Sequence, residues 1–144
     1  MQLGVQPAGQ GVDGIVWNIL GQTYTPLQRS EHSMAWHAVF PDGKFVPPHI
    51  HHTQDEFIYM LEGALQVESG GPAQHAKAGD LIRLPLGVPH GLFNRSGGTV
   101  KCLFWVAPTA RLWDLFVAID GVPDPAEVMR LASLHEIDFL PPPG

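Results

Sequence analysis

An all-β fold, a small sandwich or barrel with a short helical segment at its C-terminal end, is predicted by three features of the sequence. Short runs rich in β-branched and aromatic residues recur between positions 14 and 107, separated by turn residues. Sixteen glycines and fourteen prolines, about a fifth of the 144 residues, exceed the usual share, but they are scattered as tight turns require. Beyond position 110 the apolar residues change to helical spacing.

Taken in order, the Gly- and Gln-rich residues 1–13 carry no clear element. Residues 14–20 and 22–28 read as strands, with Pro26 pushing the second to a sheet edge because proline cannot donate to a ladder. Residues 32–40 alternate, which places Met34, Trp36, Ala38 and Phe40 on one face. Pro41-Asp42-Gly43-Lys44 is a turn. Residues 47–52 are extended, since positions at and before proline are held out of the helical region. The runs 56–61 and 64–69 flank Glu62-Gly63 and read as a two-residue hairpin. Further turns at 70–72, 79–80 and 96–98 separate the remaining strands, the last of which is 99–107. A short helix is predicted at 110–119. A second starts at Asp124-Pro125-Ala126-Glu127, with Asp as N-cap, Pro at the first helical position and Glu three after the cap. Val128, Leu131, Ala132 and His135 follow at helical spacing, and the tail 141–144 is expected to be extended. The chain reads as a single domain, 1–144, with a barrel core at about 14–108 and a helical segment at about 109–136.

Composition narrows the function. The net charge is −6, and the eight basic residues are scattered, so no row of phosphates can be neutralised and no nucleic-acid partner is expected. No apolar stretch approaches the ~20 residues of a membrane span, and the first residues are not expected to be a signal peptide. A lone cysteine, Cys102, excludes an internal disulfide framework and fits a reducing, cytoplasmic setting. Cys102 sits mid-strand and reads as a buried thiol.

Histidine is the outlier, with eight residues, three of them within 49–52. His49 and His51 are two apart on an extended segment, so both imidazoles face one way. Glu56 opens the next strand and can face the same space. His90 follows the rigid Pro85-x-Gly87-x-Pro89 frame. Three neutral nitrogens and one carboxylate suit a divalent transition metal, with positions left open for water or substrate. By alternation His52 and Asp55 point outward. His32, His75 and His135 read as surface or packing residues, and His37 can face either way. Ile58 and Met60 share parity with Glu56, and Leu92 with His90, so an apolar interior is expected. Phe57, Tyr59 and Phe93 face the opposite way. Asn94 reads as a strand-end hydrogen-bonder.

These positions resemble the two motifs of the cupin family. Gly43, His49, His51, Glu56 and Gly63 meet the first, G-x5-H-x-H-x4-E-x6-G. Gly79, Pro85, Gly87, His90 and Asn94 meet the second, G-x5-P-x-G-x2-H-x3-N. The resemblance implies a double-stranded β-helix, or jelly-roll barrel, and one metal per chain (Fe, Mn, Ni or Zn) on His49, His51, Glu56 and His90. The C-terminal helices look like those of small bacterial cupins similar to quercetin dioxygenases. The implied function is a metal-dependent dioxygenase or related oxidation of a small aromatic or enolic substrate, with Glu56 doubling as catalytic base. The alternatives are a non-catalytic binding module and a metal-dependent isomerase or decarboxylase. A homodimer is expected, because outward Phe57, Tyr59 and Phe93 would otherwise leave an apolar patch.

Overall fold

The computed structural model describes residues 1–141. The expected extended tail lies outside the described residues beyond Pro141. A single 3-10 turn at Val12–Gly14 precedes the first strand. The strands are β1 (Trp17–Ile19), β2 (Gln22–Arg29), β3 (Met34–Phe40), β4 (Phe45–His51), β5 (Asp55–Glu62), β6 (Ala64–Glu68), β7 (Gln74–Lys77), β8 (Leu81–Leu84), β9 (His90–Phe93) and β10 (Val100–Ala107). Helices α1 (Leu112–Ile119) and α2 (Pro125–Ser133) follow, and β11 (Ile137–Phe139) closes the series. Two antiparallel sheets form, in the orders β1-β2-β3-β10-β5-β8 and β11-β4-β9-β6-β7. This is the jelly-roll β-barrel architecture predicted, with two short helices at its C-terminal end. No helix among the described residues is long and apolar enough to cross a membrane.

Alternation sets the core. Met34, Trp36, Ala38 and Phe40 of β3 are all buried, as are Val100, Cys102, Phe104 and Val106 of the neighbouring β10. Cys102 is a free thiol, and burial pushes its pKa up. Trp36 stacks on Phe104 with centroids 5.1 Å apart, and Phe116 of α1 meets Trp36 edge-on at 5.1 Å. The helices therefore close one end of the barrel with Leu112, Leu115, Phe116, Ile119, Val128 and Ala132.

Four local expectations change. Pro26 does not lie on an outermost strand, because β1 pairs with β2. That pairing covers only Gln22 to Tyr24, so the stretch carrying Pro26 has β3 on one side alone, where a missing donor is tolerated. The hairpin at Glu62-Gly63 is instead a corner. β5 is already paired on both edges, by β10 and β8, so β6 leaves for the other sheet. Gly63 has φ 77°, and a Cβ there would lie 2.8 Å from the Thr99 carbonyl oxygen. At α2, Asp124 caps the Ala126 N–H as expected, but Glu127 pairs with Arg130 rather than returning to the cap. Lastly, β11 is an extra strand that returns along the free edge of β4, pairing Phe139 with His49 and Ile137 with His51.

Candidate metal centre

The segment bearing the first two histidines is shaped by Pro47-Pro48. The pairing of β4 with β9 runs Phe45–Phe93 and Val46–Leu92, then slips before His49–His90. Two consecutive residues without N–H groups cannot continue the ladder, so the strand bulges there. The bulge restores phase: Val46 is buried, and after it His49 and His51 are buried on the same side. Gly91 opposite makes room, since a Cβ there would lie 3.2 Å from the Pro48 ring.

Glu56 continues the buried row of β5 that includes Ile58 and Met60. His90 is delivered by a turn clamped to the ligand segment. The Leu86 N–H donates to Asp55 Oδ1 at 2.9 Å, and the Gly87 N–H to the His51 carbonyl at 2.8 Å. The positive φ of Gly87, 76°, is what that turn needs.

The four predicted side chains converge. One nitrogen or oxygen atom from each of His49, His51, Glu56 and His90 lies within 4.8 Å of all the others, and all four residues are buried. His49 Nε2 and His51 Nε2 are 3.2 Å apart, and Glu56 Oε2 lies 3.0 Å from His90 Nε2 and 3.6 Å from His51 Nε2. The other ring nitrogens fix the tautomers. His49 Nδ1–H donates to the Pro47 carbonyl at 2.7 Å, His51 Nδ1–H to Gln54 Oε1 at 2.8 Å, and His90 Nδ1–H to the Val88 carbonyl at 3.3 Å. Those acceptors carry no proton, so Nδ1 of each ring must carry one, and each neutral ring turns an Nε2 lone pair inward. Three lone pairs and a carboxylate facing one another repel unless a cation lies between them. The donor set is therefore compatible with one metal ion, and its nitrogen and oxygen atoms suit a divalent transition metal.

Electrostatics agree. Burial first, then the neighbouring His90 and His51, lower the His49 imidazole to about 3, so it is neutral at ordinary pH. Burial also lowers His51, with Glu56 opposing. For Glu56 burial alone would raise the carboxyl, but any positive charge carried by His51, His90 and His49 outweighs it and holds the group at about 2. The carboxylate is ionised.

A cavity of about 50 Å³ lies beside this cluster. His49, His51 and Glu56 contribute its polar wall. Tyr24, Trp36, Leu92, Phe104 and Phe139, with residues of α1 and α2, supply an apolar one. Leu92 lines the cavity as its parity implied, whereas Ile58 and Met60 are fully buried but pack in the core away from it. Burial, then the Glu56 charge, raise the Tyr24 phenol, whose O–H donates to Gln22 Oε1 at 2.5 Å. The Nε1–H of Trp36 is buried without an acceptor among the described residues.

The outward assignments stand. His52 is exposed and bonds Asp138 of β11 at 2.9 Å, and His32 and His75 are exposed. His37 lies on the outer face of β3, while Phe57 stacks on Trp105 on the outer side of the sheet. Asn94 donates to the carbonyls of Phe40, Pro41 and Gly98, a strand-end role.

Sequence reasoning missed Gln54, Tyr24 and Phe139. Gln54 is buried, and its amide donates to the Pro108 and Thr109 carbonyls at 3.0 and 3.1 Å, which turns its oxygen toward His51. Nothing in its local pattern separates it from a turn residue, because the carbonyls that orient it lie more than fifty positions away. Phe139 sits on the unforeseen β11, with its ring 5.2 Å from that of His49.

The family described as "Cupin domain" matches residues 36–106, the span from β3 to β10 that contains all four clustered side chains. Tetracenomycin polyketide synthase protein TcmJ of Streptomyces glaucescens is 28% identical over 91 residues, 62% of this chain and 61% of TcmJ. Polyketide synthase CurC of Streptomyces cyaneus is 26% identical over 73 residues, 51% of this chain and 47% of CurC. The chain thus spans less than two thirds of the length of either relative. An RmlC-like cupin from Shewanella frigidimarina NCIMB 400 superposes with a TM-score of 0.66 at 22% identity, covering 78% of this chain and 96% of that one, a likeness of fold.

Proposed function

The chain belongs to the cupin superfamily, and from that premise we propose that it is a metal-dependent enzyme that oxidises a small enolic or phenolic compound. The observation that carries the reading is the convergence of three inward Nε2 lone pairs and an ionised carboxylate on one end of an apolar cavity. His49, His51, Glu56 and His90 would hold one divalent ion. When bound, iron, manganese or nickel there supplies a Lewis acid for an ionised substrate oxygen and redox chemistry toward O₂. Zinc supplies the first alone.

The chain's own residues supply the rest. Glu56 accepts the acidic proton of the substrate at a carboxylate oxygen. The apolar walls, among them Leu92 and Phe104, exclude water and strengthen each electrostatic contact. A second reading, proton transfer on a polycarbonyl substrate without O₂, is favoured by the names of two relatives as polyketide synthase proteins.

Anaerobic reconstitution with Fe(II), Mn(II), Ni(II) or Zn(II), followed by substrate and O₂, separates these. The oxidation reading expects O₂ uptake with a redox metal and none with zinc, and a loss of about 10²–10⁴-fold in rate in Glu56→Gln. Turnover with zinc and no uptake with any metal selects the second reading. Ligand binding without turnover in any form leaves a binding module.

We also propose a homodimer formed through the outer face of the six-stranded sheet, where Tyr59, Leu61 and Leu81 are 41%, 47% and 49% exposed. Light scattering at micromolar concentration should give twice the 15.7 kDa chain mass, and a monomer mass overturns it.

A further inference from the structure

The inner cavity poses a problem of size. At about 50 Å³ it is a third of the ~150 Å³ that holds one benzene ring. A cyclic substrate can therefore bring only its reactive end to the metal centre, and its body must lie elsewhere. A groove of about 480 Å³, within the usual range for small-molecule sites, adjoins the cavity on its outer side. Leu20, Val128 and Phe139 form a wall common to both spaces.

The groove runs between the β1–β2 turn, the start of β4 and the start of α2. Its lining is mostly apolar, including Phe45, Pro47, Val122 and Met129, with Asn18 as a polar side chain and Lys44 as its one cation. The lysine stem lies over Gly21, where a Cβ would meet Lys44 Cε at 2.7 Å and Nζ at 3.0 Å. Lysine and arginine ion pairs among the described residues involve Lys77, Arg95, Lys101 and Arg130, and Lys44 has none. Nearby Asp42 is engaged elsewhere, accepting from the Gly97 N–H. In a chain of net charge −6, an unpaired ammonium at an apolar groove favours an anionic end group there. The turn residue Leu20 supports the same picture. It has φ 52° beside Gly21 at 79°, a geometry that prefers Asn-Gly, yet it is leucine and forms part of the wall shared with the inner cavity.

We infer that this groove binds the body of a planar aromatic ligand, with Lys44 pairing to a carboxylate at one end while a hydroxyl at the other end reaches past Leu20, Val128 and Phe139 to the metal centre. The inference rests on the proposed function for the direction of the ligand. The role of Lys44 is separable from it, because Lys44 takes no part in metal binding.

The test uses 6-hydroxy-2-naphthoate, whose hydroxyl and carboxylate lie at opposite ends, and 2-naphthol, which lacks the acid. Each is titrated by fluorescence into the zinc-loaded and the metal-free protein. Lys44→Gln should weaken 6-hydroxy-2-naphthoate about five-fold, the upper range for an ion pair of an exposed lysine, and leave 2-naphthol unchanged. Met129→Glu, an exposed position in the groove, should weaken the naphthoate in the same direction by placing a like charge beside it. The Lys44 effect should persist without metal, so failure of the metal reading alone leaves it intact. No binding of the naphthoate to the unaltered protein, an affinity unchanged in either variant, or an equal loss of 2-naphthol in Lys44→Gln overturns the inference.

Discussion

Replacing Gln54 by leucine isolates the part of the centre that lies behind the proposed ligands. The Gln54 side chain is 2% exposed and joins three groups: His51 Nδ1–H, which it accepts, and the Pro108 and Thr109 carbonyls, to which it donates. Leucine has nearly the same volume and none of these bonds. Each buried group left unpaired costs about 1–3 kcal/mol, so the folded state should lose about 3 kcal/mol or more. Metal affinity should fall about 10–100-fold, because the Nδ1 bond fixes both the tautomer and the ring orientation that aim His51 Nε2 inward. Competition with a chromophoric chelator at pH 7.5 reads the affinity, and circular dichroism checks the fold. Gln54→Glu supplies the contrast. It keeps an acceptor for His51 Nδ1–H, so affinity should stay near the original value. Its other oxygen faces two carbonyls, so stability should still fall. A folded Gln54→Leu protein that binds metal as tightly as the original would refute the orienting role. Equal affinity losses in both variants would show that packing alone is responsible.

The remaining expectations concern the centre and the frame. His49→Ala, His51→Ala and His90→Ala should each abolish tight binding of one metal per chain, whereas His52→Ala should not, since His52 bonds Asp138 on the surface; elemental analysis decides, and metal retained in His49→Ala contradicts the assignment. The metal-free protein should weaken in mild acid. Its His49 is lowered from 6.5 to about 3, so below pH 6.5 the unfolded chain takes up the proton first and stability falls as pH drops toward 3. At pH 5 the loss from His49 alone is about 2 kcal/mol, read as a lower urea midpoint than at pH 7.5, and an unmoved midpoint argues against a neutral buried ring. Gly63→Ala should destabilise by about 2 kcal/mol or more, since a left-handed φ is joined by a Cβ clash with the Thr99 carbonyl. Gly43→Ala, with φ 80° but open space around it, should cost only about 1 kcal/mol, and equal urea midpoints for the two would remove the steric argument.

Much of this protein is legible in its residues alone, and the reason is that the legible parts are local. Alternation along Met34, Trp36, Ala38 and Phe40 reports which face is apolar, and all four are buried. Turn chemistry marks Gly43, Gly63, Gly79 and Gly87, each of which has positive φ. Asp124-Pro125 announces α2 from its own cap. The spacing of His49, His51, Glu56 and His90 names the four side chains that converge. What a local pattern cannot specify is which strand edge meets which. Glu62-Gly63 carries the same signal whether the chain folds back or turns a corner, and β10 and β8 decide by occupying both edges of β5. The three residues of β11 are too few to show a period, yet they place Phe139 against His49. Gln54 acquires its orientation from carbonyls 54 and 55 positions away. The cavity is small because α1 and α2 close the barrel over it, a volume left between distant side chains that no segment carries by itself. Residue identity determined the donors and the apolar faces. Long-range pairing alone decided their convergence, the orientation of His51 and the separation of a small inner cavity beside the four side chains from an outer groove.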